Sequence, residues 1–183
     1  MLIKNPFENK SKQILPVSEL DTPMGKMIAC ANDQGICLLE FADRKMLENQ
    51  FKTLSRHLNV TFIYGSHTNI DILQKQLTEY FEGKRKEFSV PLVIPGTEFQ
   101  QSVWRELQRI PYGSTRSYKQ QSLALNKPDA VRAVAHANGM NRIAIIIPCH
   151  RVIGENGHLT GYSGGVERKK WLIDFERANN GNI

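Results

Sequence analysis

The sequence predicts an α+β protein in two parts, a small antiparallel sheet with helices over residues 1–93 and a helix-turn-helix unit over residues 94–183. Three observations predict it. A hairpin pattern occupies the first half. A stretch punctuated by Pro91, Pro95 and Gly96 interrupts the chain, and the second half carries two capping boxes, Thr97 with Gln100 and Ser117 with Gln120, each opening a short amphipathic helix.

The hairpin pairs residues 27–31 with residues 36–41 around the turn Asn32-Asp33-Gln34-Gly35. Leu47, Phe51, Leu54 and Leu58 then recur at helical spacing, and residues 60–64 are β-branched and aromatic enough for a third strand. Thr68 with Asp71 opens a helix whose stripe is Ile70, Leu73, Leu77 and Phe81, with Gly83 at its stop. Beyond the proline-rich break, the first capping box starts a helix burying Phe99, Val103, Trp104 and Leu107, which ends at Ile110-Pro111-Tyr112-Gly113. The second starts residues 118–125, and after Asn126-Lys127-Pro128 a further helix runs to Asn138-Gly139. Two short helices about a tight turn form a helix-turn-helix pattern. A last helix spans residues 166–178 and is expected to bury Trp171, Leu172 and Phe175.

At 183 residues and 40% hydrophobic content the chain can bury one sizeable core or two small ones. Its longest apolar run, residues 143–148, is too short to span a bilayer, so no membrane partner is expected. Residues 1–12 lack the apolar stretch of an export signal, which predicts a cytoplasmic protein. Three cysteines in such a chain argue for reduced thiols. Charge is uneven: residues 1–95 hold 12 Lys+Arg against 11 Asp+Glu, whereas residues 96–183 hold 12 against 7. A basic second half fits a polyanion partner and equally fits an ordinary solvated surface. Within it, residues 129–138 include four alanines and one long cation, Arg132. Such a slim helix suits close approach to a groove, and it also suits simple core packing with Arg132 in water.

Chemistry concentrates at Cys149. Residues 143–147 read as a strand buried on both faces that delivers Pro148-Cys149-His150 at its end. A thiol is mostly protonated at neutral pH and only the thiolate is the nucleophile, so an adjacent base is the usual remedy. His150 is the candidate. Consecutive side chains on an extended chain point apart, so the expected link from His150 to Cys149 runs through a water. A histidine base also needs an acceptor on its second nitrogen, best a carboxylate, and spacing alone does not say which. By itself the pattern is more often that of a buried cysteine acting as a small hydrophobe.

Pro148-Cys149-His150-Arg151-Val152, followed by Gly161-Tyr162-Ser163-Gly164-Gly165 and Lys170-Trp171-Leu172, resembles the O6-alkylguanine-DNA alkyltransferase family. The resemblance extends back through Tyr112-Gly113, Ser117-Tyr118, Arg132-Ala133-Val134 and Asn138-Gly139-Met140-Asn141, and more loosely to Thr22-Pro23-Met24-Gly25 and residues 35–41. It implies a ribonuclease H-like first unit and a winged-helix-like second one. It further implies a monomer that takes the alkyl group of O6-alkylguanine, with O4-alkylthymine a second candidate substrate, from duplex DNA onto Cys149 in a single turnover. In that reading His150 is the water-linked base and Glu176 its carboxylate. Tyr118 donates to the departing base, and Arg132 fills the space left by the flipped nucleotide. Asn141 braces the turn, and Val152, Tyr162 and Ser163 line the base pocket.

His136 and Arg142 depart from the family's usual residues, small or Arg at the first and proline at the second. No cofactor or metal is expected: no glycine-rich nucleotide element is present, and Cys30 and Cys37 read as core residues. Two competing readings remain. A non-catalytic lesion-binding protein would lack the cysteine that this chain has, and a Cys-His hydrolase or redox enzyme would need an oxyanion hole that no motif supplies.

Overall fold

The structure, a computed structural model, describes residues 12–181. The reading of the N-terminus as free of an export signal therefore lies outside the described residues, apart from Lys12. The first half is a four-stranded sheet, β1 (Gln13–Thr22), β2 (Gly25–Asn32), β3 (Gly35–Phe41) and β4 (Val60–Tyr64), in the order β3-β2-β1-β4. The hairpin β2–β3 forms as expected, and β1–β3 are antiparallel. Two features differ from the sequence reading. The sequence reading opens the sheet at residue 27 and names no strand before it; β1 precedes it, with Pro16 paired to Ile63 of β4 and pairing to β2 beginning at Val17. β4 also joins parallel to β1, because helix α1 (Leu47–Leu58) carries the chain from one sheet edge to the other.

α1 covers one face of the sheet, where Leu54 packs with Val17, Ile28, Cys30, Leu38 and Val60. Helix α2 (Thr68–Phe81) lies on the other face. Its N-cap is His67, whose ring accepts from Asn69 N, and not Thr68. The ring nitrogen supplies the acceptor that Ser, Thr, Asn or Asp supplies elsewhere.

In the second half, α3 (Glu98–Leu107) and α4 (Tyr118–Ala124) both open on complete capping boxes. Asn126 in the left-handed region (φ 57°) turns the chain into a 3-10 turn led by Pro128 and then α5 (Val131–Gly139). Gln121 and Asn138 exchange two amide hydrogen bonds (3.1 and 2.7 Å), and Trp104 Nε1 donates to Ala137 O (2.9 Å), so α3, α4 and α5 lock as one unit. Strands β5 (Arg116–Ser117) and β6 (Val152–Ile153) pair parallel, and α6 (Val166–Asn179) closes the described chain.

Residues 143–147 do not form a strand. They coil beside β3, with Leu39 N donating to Arg142 O (2.9 Å) and Ala144 N to Leu39 O (2.7 Å), and Ile145 sits at φ 71°, a conformation β-branched residues avoid. An apolar run reports burial on all sides, which a packed turn provides as well as a strand. Cys149 consequently sits in a 3-10 turn (Cys149–Arg151), not at a strand's end. On α6 the buried face is Lys169, Leu172, Ile173 and Glu176, while Trp171 is 40% exposed and stacks on Phe175, so the expected burial of Trp171 is incorrect. The inward face is set by charged groups that find partners inside.

One hydrophobic cluster runs from Met27, Leu39 and Phe41 of the sheet through Val103, Trp104, Ile143 and Ile147 to Leu172. Arg168 of α6 adds a clamp, pairing with Asp43 (2.8 Å twice) and lying 4.3 Å over the Phe41 ring. Among the described residues no helix is long and apolar enough to cross a membrane.

Candidate active site

The thiol is held by the turn that precedes it. Asn141 Oδ1 accepts from Ile143 N (3.0 Å), while its Nδ2 donates to Ile147 O (2.8 Å) and to Cys149 Sγ (3.2 Å). One amide therefore closes the loop and aims a donor at the sulfur. Burial pushes the Cys149 thiol up, and the Asn141 bond with the charges of Lys169 and Arg44 pulls the other way.

Arg44, just past β3, is buried and ion-paired with Glu40. Its guanidinium also donates to Gly139 O (2.8 Å) and Asn141 O (3.1 Å), tying the end of α5 and the thiol's turn to the first half of the chain. Lys169 is fully buried. Its Nζ donates to Thr160 O (2.8 Å) and lies 5.6 Å from the centre of the Tyr118 ring. Burial lowers it to about 8, against the opposing pull of Cys149.

His150 Nε2 lies 2.8 Å from Glu176 Oε1. Glu176 is also bound by both Arg151 Nε (2.8 Å, on Oε2) and Arg151 Nη2 (2.9 Å, on Oε1), by Tyr80 Oη (2.8 Å) and by Gly113 N (3.1 Å). Burial opposes charge on this carboxylate, but His150 and Arg151 outweigh it and hold Glu176 well below the usual carboxylate range. Burial likewise lowers His150, with Glu176 resisting, a shift that favours the neutral imidazole. With Nε2 committed to Glu176, buried Nδ1 has no protein partner among the described residues. A neutral ring with a free nitrogen and an anchored far side has the form of a general base.

Tyr118 is the first residue of α4, its hydroxyl donates to Thr160 O (3.1 Å), and burial together with Cys149 pushes it up to about 12. A phenol so held stays protonated and able to donate. Gly161, at φ 67°, lets the loop pass the phenol: a Cβ there would lie 3.1 Å from Tyr118 Oη. Gly164 is more constrained, because a Cβ would meet the Tyr162 ring at 2.7 Å and Phe41 at 2.9 Å. Tyr162 and Val152 are buried and Ser163 is half-buried beside them.

The structure thus places two bonded pairs, Asn141–Cys149 and His150–Glu176, on one turn through the adjacent Cys149 and His150, while Tyr118 and Lys169 share Thr160 O as acceptor. Arg132 is not part of this group; it stands exposed on the outer face of α5 with Ala133 and His136. Arg142, at the unusual position, is buried 5.8 Å over the Trp104 ring and bonds Pro95 O. Sequence reasoning missed Arg44, Lys169, Arg151 and Tyr80. Only Lys169 left a signal, sharing the helical face of Leu172 and Glu176. A cavity of about 620 Å³ lies behind the turn against Pro148, Arg151 and Tyr112, and Cys149 is not among the residues lining it. Cys30 and Cys37 are buried under α1, and burial raises both, Cys37 to about 11. No His, Cys, Asp and Glu grouping suited to a metal occurs among the described residues.

Two family profiles match in succession: the ribonuclease-like domain of 6-O-methylguanine DNA methyltransferase over residues 17–94, and its DNA binding domain over residues 98–178. A methylated-DNA–protein-cysteine methyltransferase of Methanosarcina barkeri is 40% identical over 161 residues, 87% of this chain and 96% of that protein. The inducible one of Bacillus subtilis is 43% identical over 136 residues, covering 74% and 76%. A Mycobacterium tuberculosis OGT crystal structure in complex with DNA superposes with a TM-score of 0.76 at 37% identity, covering 91% of this chain and 94% of that one. With its two halves matched in order and a relative aligned over almost its whole length, this chain belongs to the 6-O-methylguanine DNA methyltransferase family.

Proposed function

We propose that this chain repairs DNA by transferring the alkyl group of O6-alkylguanine in duplex DNA to Cys149 Sγ, once per molecule. The observation that carries the reading is a sulfur bonded by Asn141 Nδ2 beside a buried histidine that is anchored through Glu176. The thiol proton passes through a water to His150 Nδ1. Sγ then attacks the alkyl carbon, forming the S–C bond as the C–O6 bond breaks, and the electron pair stays on the base. Tyr118 turns its hydroxyl from Thr160 to the departing guanine, which leaves more readily as its negative charge is neutralised. The sulfur ends as a thioether with no remaining nucleophilic pair of comparable reactivity, so no second turnover follows.

The DNA side is read as α4 and α5 forming the helix-turn-helix, with the slim outer face of α5 in the minor groove and Arg132 occupying the vacated stack. Val152, Tyr162 and Ser163 line the pocket for the flipped base. O4-alkylthymine presents a comparable alkyl–oxygen bond and is a second candidate substrate. The protein acts as a cytoplasmic monomer, with residues 1–93 as the structural unit and residues 94–183 as the DNA-binding, alkyl-accepting unit.

The test is incubation with DNA bearing radiolabelled O6-methylguanine followed by peptide mapping. One label per chain on Cys149, absent from Cys149→Ala while DNA binding persists, is expected. Label on Cys30 or Cys37 refutes the assignment.

A further inference from the structure

Tyr80 is fully buried on α2, in the first half of the chain, yet its hydroxyl reaches the carboxylate that holds His150. Its ring is fixed on several sides, 5.5 Å from Phe88, 6.0 Å from Tyr112 edge-on and 5.6 Å from Phe175. The hydroxyl donates to Glu176 Oε1, the same oxygen that faces His150 Nε2, with Arg151 Nη2 a third donor. A carboxylate oxygen offers about two lone-pair directions, so three donors compete for it.

We propose that Tyr80 is a positioning residue for alkyl transfer: by donating to Glu176 Oε1 it withdraws negative charge from the oxygen facing His150 and keeps the resting imidazole neutral. The inference rests on the role of His150 as the base. A hydrogen bond to the charged form of a carboxylate stabilises that charge in place and reduces what a neighbouring imidazolium gains from it. Burial and the adjacent Glu176 hold the Tyr80 phenol well above its ordinary range, so it remains a donor throughout the working pH range. The other groups around the pair are Arg151 on the same turn, Lys169 on α6, and Tyr112 and Tyr162 from flanking loops. Arg151 and Lys169 also disfavour imidazolium, while Glu176 favours it, so Tyr80 acts against the one group that pulls the ring toward protonation.

Tyr80→Phe keeps the ring in its aromatic cluster and removes only the donor. Single-turnover methyl transfer from a methylated oligonucleotide is measured against pH, and the His150 ring is titrated by NMR in the same protein. The acid limb of the rate profile and the ring titration are both expected to move up by roughly half a pH unit or more. Site-specific difluorotyrosine at position 80, a stronger donor, moves them down. A limb and a ring titration that stay in place in both proteins overturn the proposal, whatever happens to the plateau rate, because a purely structural role lowers the rate at every pH without moving either. Failure of the underlying reading looks different: the wild-type chain does not label Cys149, or His150→Ala retains the acid limb.

Discussion

The side-chain amide of Asn141 spans the active turn, accepting from Ile143 N at 3.0 Å and donating to Cys149 Sγ at 3.2 Å. Loop closure and the side-chain donor to the sulfur therefore come from one residue. Asn141→Ala leaves the buried Ile143 N without its partner, at about 1–3 kcal/mol, while Ile147 O keeps the bond from Cys149 N. It also removes the donor to the sulfur. The thiol is expected to rise by about one pKa unit or more, a tenfold loss of thiolate at neutral pH. The pH dependence of Cys149 alkylation by iodoacetamide checks this, and an unchanged profile refutes the role.

Lys169 places a buried cation near the thiol at some expense to the fold. Its pKa falls from 10.5 to about 8, so between these values the unfolded chain binds more protons and stability rises with pH across that window. Lys169→Met is expected to abolish that rise in denaturation experiments. It is also expected to slow methyl transfer, since the thiolate loses a supporting charge. A variant that keeps the wild-type stability profile sinks the argument.

Arg44 couples the two halves. Replacing it with Met leaves Glu40 buried and unpaired and frees the carbonyls of Gly139 and Asn141, for an expected loss of about 3–5 kcal/mol. Glu40→Gln in the same chain should recover part of that loss, because the stranded charge is gone. Urea denaturation of the single and double variants measures the difference, and additive losses contradict the pairing.

Arg132 stands exposed on α5 and touches nothing in the buried cluster. Arg132→Ala is expected to leave stability within about 0.5 kcal/mol of wild type. Transfer from duplex DNA should fall about tenfold or more, while transfer from the free alkylated base is nearly unaffected, because only the duplex requires extrusion. Equal losses on both substrates rule out a finger role.

The helix starts at Thr97 and Ser117 were legible because a capping box is satisfied within four residues, independent of anything distant. The β2–β3 hairpin was legible for the same reason. The run at residues 143–147 was not, because apolar composition records that a segment is buried and does not record its φ and ψ; a left-handed Ile145 has no local signature. Trp171 misled in the opposite sense, since an aromatic at helical spacing reads as core until charged neighbours claim the inward face.

The sequence by itself determined the local devices and the candidate acceptor: caps, turns, the slim α5, and a cysteine beside a histidine among three cysteines. Only the tertiary structure decided what surrounds that cysteine. Tyr80, Arg44, Lys169 and Arg151 reach the site from separate elements, and Tyr80 meets Glu176 across 96 residues of chain. Electrostatics and hydrogen bonding act over a few ångströms of space regardless of sequence separation, so the groups that surround the thiol and the adjacent histidine emerge only when the sheet, the turn and α6 are packed together.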